Sequence, residues 1–186
     1  MRKNDIVTYS GQLTHIHTTG KGRSDMVASE SARLVAGIGI PGDRYAERTG
    51  TYSERHHIDR QITLIEQETL DALARDTKIE LLPQEHRRNL TTVGVPLNHL
   101  VGQYFVVGEA VLFGGRLNVP CNYLQDLLGK RVFRPLIHRS GLNARVIVDG
   151  TIRVGDAIKP VDVDDLAPDL VAANAAHGVE PAPEVG

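Results

Sequence analysis

The chain has 186 residues, enough for one domain with a full core, and its 41% hydrophobic content is that of an ordinary globular protein. The single cysteine, Cys121, excludes an internal disulfide framework and agrees with a reducing compartment. No apolar run reaches the ~20 residues of a membrane span or resembles a signal peptide, so a soluble, cytoplasmic protein with no membrane association is expected. Net charge is −2, but residues 161–186 carry six acids and no base, which leaves 21 Lys and Arg against 17 acids in the body of the chain. That distribution points to an anionic ligand, while 4% aromatic residues and the lack of a dense basic run argue against nucleic acid.

In chain order, Gly11 to Ile16 predicts a first strand, followed by a loop from Thr18 to Ser24 that contains Lys21. Glycines, hydroxyls and cations there can wrap a phosphate with backbone N–H groups and a lysine point charge, or simply form a polar loop. An apolar run from Ala32 to Ala36 leads into GIGIPGDRY, whose glycines and proline predict a sharp turn presenting Asp43 and Arg44, either as a surface ion pair or as working charges. Residues 46 to 59 are polar and include His56 and His57. Adjacent histidines point apart and no second ligand pair has metal spacing, so an exposed loop is expected rather than a metal site.

Gln61 to Ile65 predicts a strand and Glu66 to Asp76 a helix, with acids in its first turn and Leu70, Leu73 and Ala74 on one face. A strand then runs to about Val93 through Arg87, Arg88, Asn89 and Leu90. Alternation puts Arg87 and Asn89 on one face and Arg88 and Leu90 on the other. Arginine offers a planar fork to phosphate and Asn89 can bond ligand ring atoms, or the charges can mark a solvated strand edge.

Two hairpins follow, Gln103–Val107 with Ala110–Phe113 across Gly108-Glu109, and Ala144–Val148 with Thr151–Val154 across Asp149-Gly150. A last strand ends near Lys159. Many short strands with few helices predict a mainly β fold, a closed or partly closed β-barrel with short peripheral helices, spanning residues 1–160. The acidic Ala/Pro-rich tail, 161–186, is expected to be mobile, with one short helix near Asp169 to Ala176.

Between the hairpins lies GGRLNVPCNYLQDLLG, residues 114–129. Pro120 fixes the backbone ahead of Cys121, and Asn122 with Gln125 reads as an N-cap box opening a helix that Gly129 closes. A thiol at a strand-to-helix junction with Arg116 nearby is expected to have a lowered pKa, and its thiolate would suit an electrophile or a soft metal; the alternative is a packed cysteine.

The order GIPGDRY, RQITLIEQETLDAL, HRRNLTTVGVPLNHLVGQYFVVGEAVL, RLNVPCNYL, GLNARVIVDGTIRVGDAI resembles the MOSC domain family from about Leu13 to Pro160. The resemblance implies a β-barrel that binds the molybdenum cofactor, with Cys121 as molybdenum ligand or persulfide carrier. Arg44, Arg87 and Asn89 match residues that contact the pterin and its phosphate, and Lys21, Arg88 and Arg116 join them as candidate cofactor-binding residues. Many relatives carry a second cysteine where this chain has Asn118. No pyridoxal phosphate is expected, because the desulfurase domain of the long sulfurases is absent from this sequence. Two functions follow from the resemblance. One is a molybdenum-dependent reductase of N-hydroxylated small molecules, fed by a separate electron-donor reductase, with His99 or His138 either supplying a proton or simply packed or solvent-facing. The other is a carrier that delivers cofactor or persulfide sulfur to a recipient enzyme.

Overall fold

The computed structural model of the chain describes residues 8–176 except 52 and 54–56. His56, Glu180 and Glu184 therefore lie outside the described residues. The elements are β1 (Gly11–Thr18), β2 (Val27–Ser29), β3 (Ser31–Leu34), β4 (Ile62–Glu66), α1 (Gln67–Thr77), β5 (Leu90–Val93), β6 (Tyr104–Val107), β7 (Ala110–Leu117), α2 (Asn122–Leu128), β8 (Leu142–Val148), β9 (Gly150–Arg153), β10 (Ala157–Pro160) and α3 (Pro168–Ala176). No helix among the described residues is long and apolar enough to cross a membrane.

The main sheet runs β10-β6-β7-β8-β4-β5-β1-β2, and β10 also pairs with β1, so seven strands close into a barrel with β2 appended. Closure rests on Gly11 opposite Ile158 and Gln12 opposite Ala157. Only β4 and β5 run parallel; the other barrel pairs are antiparallel.

Strand β4 shows how sequence becomes architecture. Successive side chains point to opposite faces. Ile62 and Leu64 enter the barrel core beside Leu13, Leu90, Phe105 and Leu142. Ile65 faces outward into a second apolar cluster with Leu70 and Leu73 of α1, Leu124 of α2, and Val132 and Leu136. An apolar strand buried on both faces thus joins the barrel to the layer that carries α2 and Cys121.

One expectation is corrected. Asp149 and Gly150 do not turn a hairpin: β8 pairs with β7 and β4, whereas β9 leaves to pair with β3, Ser31 opposite Arg153 and Leu34 opposite Gly150. The Asp149 carboxylate accepts from the Ala36 backbone N–H at 2.7 Å and meets Arg33 at 3.3 Å, so it ties β8 to the end of β3 instead. Beyond β10 the described chain continues into α3, the short helix expected near Asp169 to Ala176, whose Asn174 is buried.

Gly141 sits where β8 enters the barrel, at φ 97°, and a Cβ there would lie 1.9 Å from the Leu64 carbonyl oxygen. Backbone strain and collision act together, so Gly141→Ala should cost about 2–4 kcal/mol and lower Tm by roughly 5–15 °C, read by thermal unfolding.

Candidate functional site

The GIPGDRY turn is built around a buried carboxylate. Gly39 adopts φ 105° with its Cα so close to Gln61 that a Cβ would stand 2.2 Å from that residue's carbonyl oxygen. The turn then sinks Asp43 and Arg44 into the protein, only 1% and 4% exposed, which excludes the surface ion pair. Asp43 Oδ2 accepts from the Thr19 backbone N–H and from Asn89 Nδ2, both at 3.1 Å, and from Arg44 Nη1 at 3.3 Å; Oδ1 accepts from the Tyr45 N–H at 3.1 Å. Arg44 lies over the Tyr45 ring, 4.3 Å from its centroid, and its Nη2 donates to the Arg87 carbonyl at 2.7 Å.

Residues 87–89 are not strand, as alternation predicts, because β5 begins at Leu90 and Arg87 adopts φ 64°. Left-handed backbone breaks the two-residue period, so Arg87 and Arg88 both line one cavity while Asn89 turns inward. Asn89 Oδ1 accepts from the Thr63 N–H and hydroxyl, and Nδ2 donates to the His17 carbonyl and to Asp43. Those bonds tie its amide to β4, β1 and the GIPGDRY turn.

Arg88 is fully braced. Nε and Nη2 donate to the carbonyl and hydroxyl of Ser140 at 3.1 and 2.8 Å, and Nη1 donates to the His86 carbonyl at 3.0 Å. Its backbone N–H donates to His86 Nδ1 at 2.9 Å, which places the imidazole proton on Nε2, 2.9 Å from the Thr91 hydroxyl. Arg87 differs. Nη1 donates to the Ser24 carbonyl, but Nε and Nη2 are buried and have no hydrogen-bond partner. Burial, and secondly the neighbouring Arg44 charge, lowers the Arg87 pKa.

These arginines line a cavity of about 260 Å³ together with Arg60, Arg116, Asn118 and half-buried Cys121. Among the described residues five arginines and no carboxylate face it. Cys121 is itself the N-cap of α2, one residue earlier than the predicted box, and its side chain makes no cap hydrogen bond. Gly129 closes the helix at φ 64° as expected. Arg116 reaches the cavity because β7 bulges between Gly114 and Arg116, adding a residue that re-aims the strand. Asn118 donates through Nδ2 to Asn143 Oδ1 at 3.0 Å, so the position of the relatives' second cysteine belongs to the cavity wall.

Lys21, His99 and His138 are exposed and do not line the cavity. Sequence reasoning missed Arg60, Asn143, Tyr45 and Tyr123, which do. Arg60 carries no local signal, whereas Asn143 is legible only once β8 is known to lie beside the β7 bulge. Among the described residues no group of three His, Cys, Asp or Glu could hold a metal ion.

His86 is fully buried, and its pKa is lowered well below 6.5 by that burial first and then by the charges of Arg88, His17, His15 and Arg44. The unfolded histidine therefore takes up a proton before the folded one does. Its contribution is intact above about pH 7 and is lost as pH falls below the ordinary value of ~6.5. Urea unfolding should give a lower stability at pH 5.5 than at 7.5, and His86→Gln should reduce that difference.

Three crystal structures share the fold. They are the YuaD protein from Bacillus subtilis (18% identity, TM-score 0.70, covering 83% of this chain and 97% of that one), YiiM from Geobacillus stearothermophilus (16%, 0.63, 90% and 84%) and YiiM from Escherichia coli (20%, 0.59, 93% and 79%). No curated protein matches the sequence. The family match is contiguous over residues 40–159, from the turn that buries Asp43 to the strand that closes the barrel, and on it the chain belongs to the MOSC domain family.

Proposed function

We propose that the cavity binds the molybdenum cofactor and that the protein reduces N-hydroxylated small molecules. The observation that carries the reading is Arg87, with Nε and Nη2 buried and unpartnered in a cavity that also holds the chain's only cysteine. Leaving buried donors unmade costs about 1–3 kcal/mol, more for a charged group, and an anion recovers it. The donor set fits the cofactor. A phosphate suits a cavity of five guanidinium groups, and a thiolate suits a thiophilic metal.

When bound, the cofactor supplies the two-electron chemistry of reductive N–O cleavage. The chain does the rest. Arg87 holds the phosphate with the two free donors, while Arg44 fixes Arg87 through its carbonyl and Arg88 presents a charge already locked by Ser140 and His86. Cys121 offers its sulfur to the metal from the junction before α2. The guanidinium groups, fixed before a ligand arrives, spend little free energy on reorganisation. Electrons come from a separate reductase.

Purification from a host that makes the cofactor, followed by molybdenum and pterin assay, tests binding. Cys121→Ala should lose the metal but keep much of the pterin, whereas Arg87→Gln should weaken pterin retention by roughly 10–100-fold. Turnover is tested with an N-hydroxylated base and a chemical electron donor. Metal-loaded protein that reduces none of several such bases would refute the reductase and leave the carrier.

A further inference from the structure

Helix α3 lies beyond the family match, which ends at residue 159, yet one of its side chains is built into the barrel. Asn174 is only 7% exposed. Its main-chain carbonyl and its Oδ1 both accept from Arg145 Nη1, at 3.1 and 2.9 Å, and its Nδ2 donates to the Tyr104 hydroxyl at 2.9 Å. Arg145 in turn donates through Nε to Asp59 Oδ1 at 2.5 Å. That pair is nearly sealed from water, with side-chain exposures of 5% and 6%. The Asp59 carboxyl group rests on the β7 bulge so closely that a Cβ on Gly115 would be 2.1 Å from Asp59 Cγ. Directly after Asp59 and Gly115 in the chain come Arg60 and Arg116, two of the five arginines that line the cavity.

We infer that Asn174 is a positioning residue for the anion pocket, acting through Arg145 and Asp59 on Arg60 and Arg116. The inference rests on the reading of the cavity as an anion-binding cofactor site. A buried ion pair keeps one geometry only when its remaining donors are satisfied. Nη1 of Arg145 finds both its acceptors on Asn174. Without the side-chain acceptor the guanidinium can turn, and Asp59, bonded to it and wedged against Gly115, turns as well. The backbone on which Arg60 and Arg116 are mounted shifts with it. A segment beyond the family match thereby completes one wall of the pocket.

The test uses the full-length protein and inorganic pyrophosphate as probe. Because Cys121 is the only cysteine, protection from iodoacetamide alkylation reports this pocket alone. Well below Tm, Asn174→Ala should raise the pyrophosphate concentration for half-protection about tenfold, the loss of one hydrogen bond to a charged group. Asn174→Asp keeps an acceptor facing Arg145, and Tyr104→Phe removes only the other partner of Asn174; both should stay within about twofold of wild type. If Asn174→Ala lowers Tm but leaves half-protection unchanged, α3 is an anchor only and the inference fails. It fails also if Asn174→Asp or Tyr104→Phe loses as much as Asn174→Ala. If pyrophosphate does not protect the wild-type thiol at all, the anion-site reading itself falls and takes this inference with it.

Discussion

The Asp43 carboxylate is the interaction on which the rest of the site depends. It gathers the end of β1, the turn that follows β3 and the approach to β5 around two oxygens, and every group it accepts from is itself tied elsewhere. Away from water such a network is strong when complete and costly when broken. Its effect passes outward by hydrogen bonds. Asp43 orients Arg44, Arg44 holds the carbonyl of Arg87, and Arg87 is kept in a left-handed backbone that swings its side chain into the cavity. The polar wall is therefore built by the protein before any ligand enters, with like charges held close by bonds to carbonyls and hydroxyls rather than by carboxylates in the cavity itself.

Much of the fold was legible because its signals are local. QITLI followed by an amphipathic run marks β4 and α1 to within a residue, and the hairpin of β6 and β7 falls where Gly108 and Glu109 place it. The Cys121 junction is legible from Pro120 and Gly129. What failed depends on partners far away in sequence. An Asp-Gly step has the chemistry of a tight turn, but Ser31–Leu34 competes for β9 and wins. Asn89 and Arg87 are two residues apart and fit one strand face, yet a single positive φ sends them to different jobs. Nothing local in the sequence announces that Asn174 meets Arg145.

The family match spans residues 40–159 and so includes Arg44, Arg60, Arg87, Arg88, Arg116 and Cys121 of the cavity lining. Asn118, three residues before Cys121, bonds to Asn143 across the β7–β8 pair. The cavity wall at that point is an amide pair, and Cys121 is the only thiol in the chain.

Closure of the barrel by Gly11 against Ile158 also has a consequence in time. Strand β1 waits for β10 before its edge is covered, and the roughly 145 residues between them must be looped to bring them together. Pairing of such high contact order is slow to form, because the loop entropy is lost before the contact is gained. Until then β1 and β10 are open edges able to pair with another copy. Expression that outruns closure should therefore fill inclusion bodies even when the finished barrel is stable, and slower synthesis at lower temperature is the remedy that follows from topology alone.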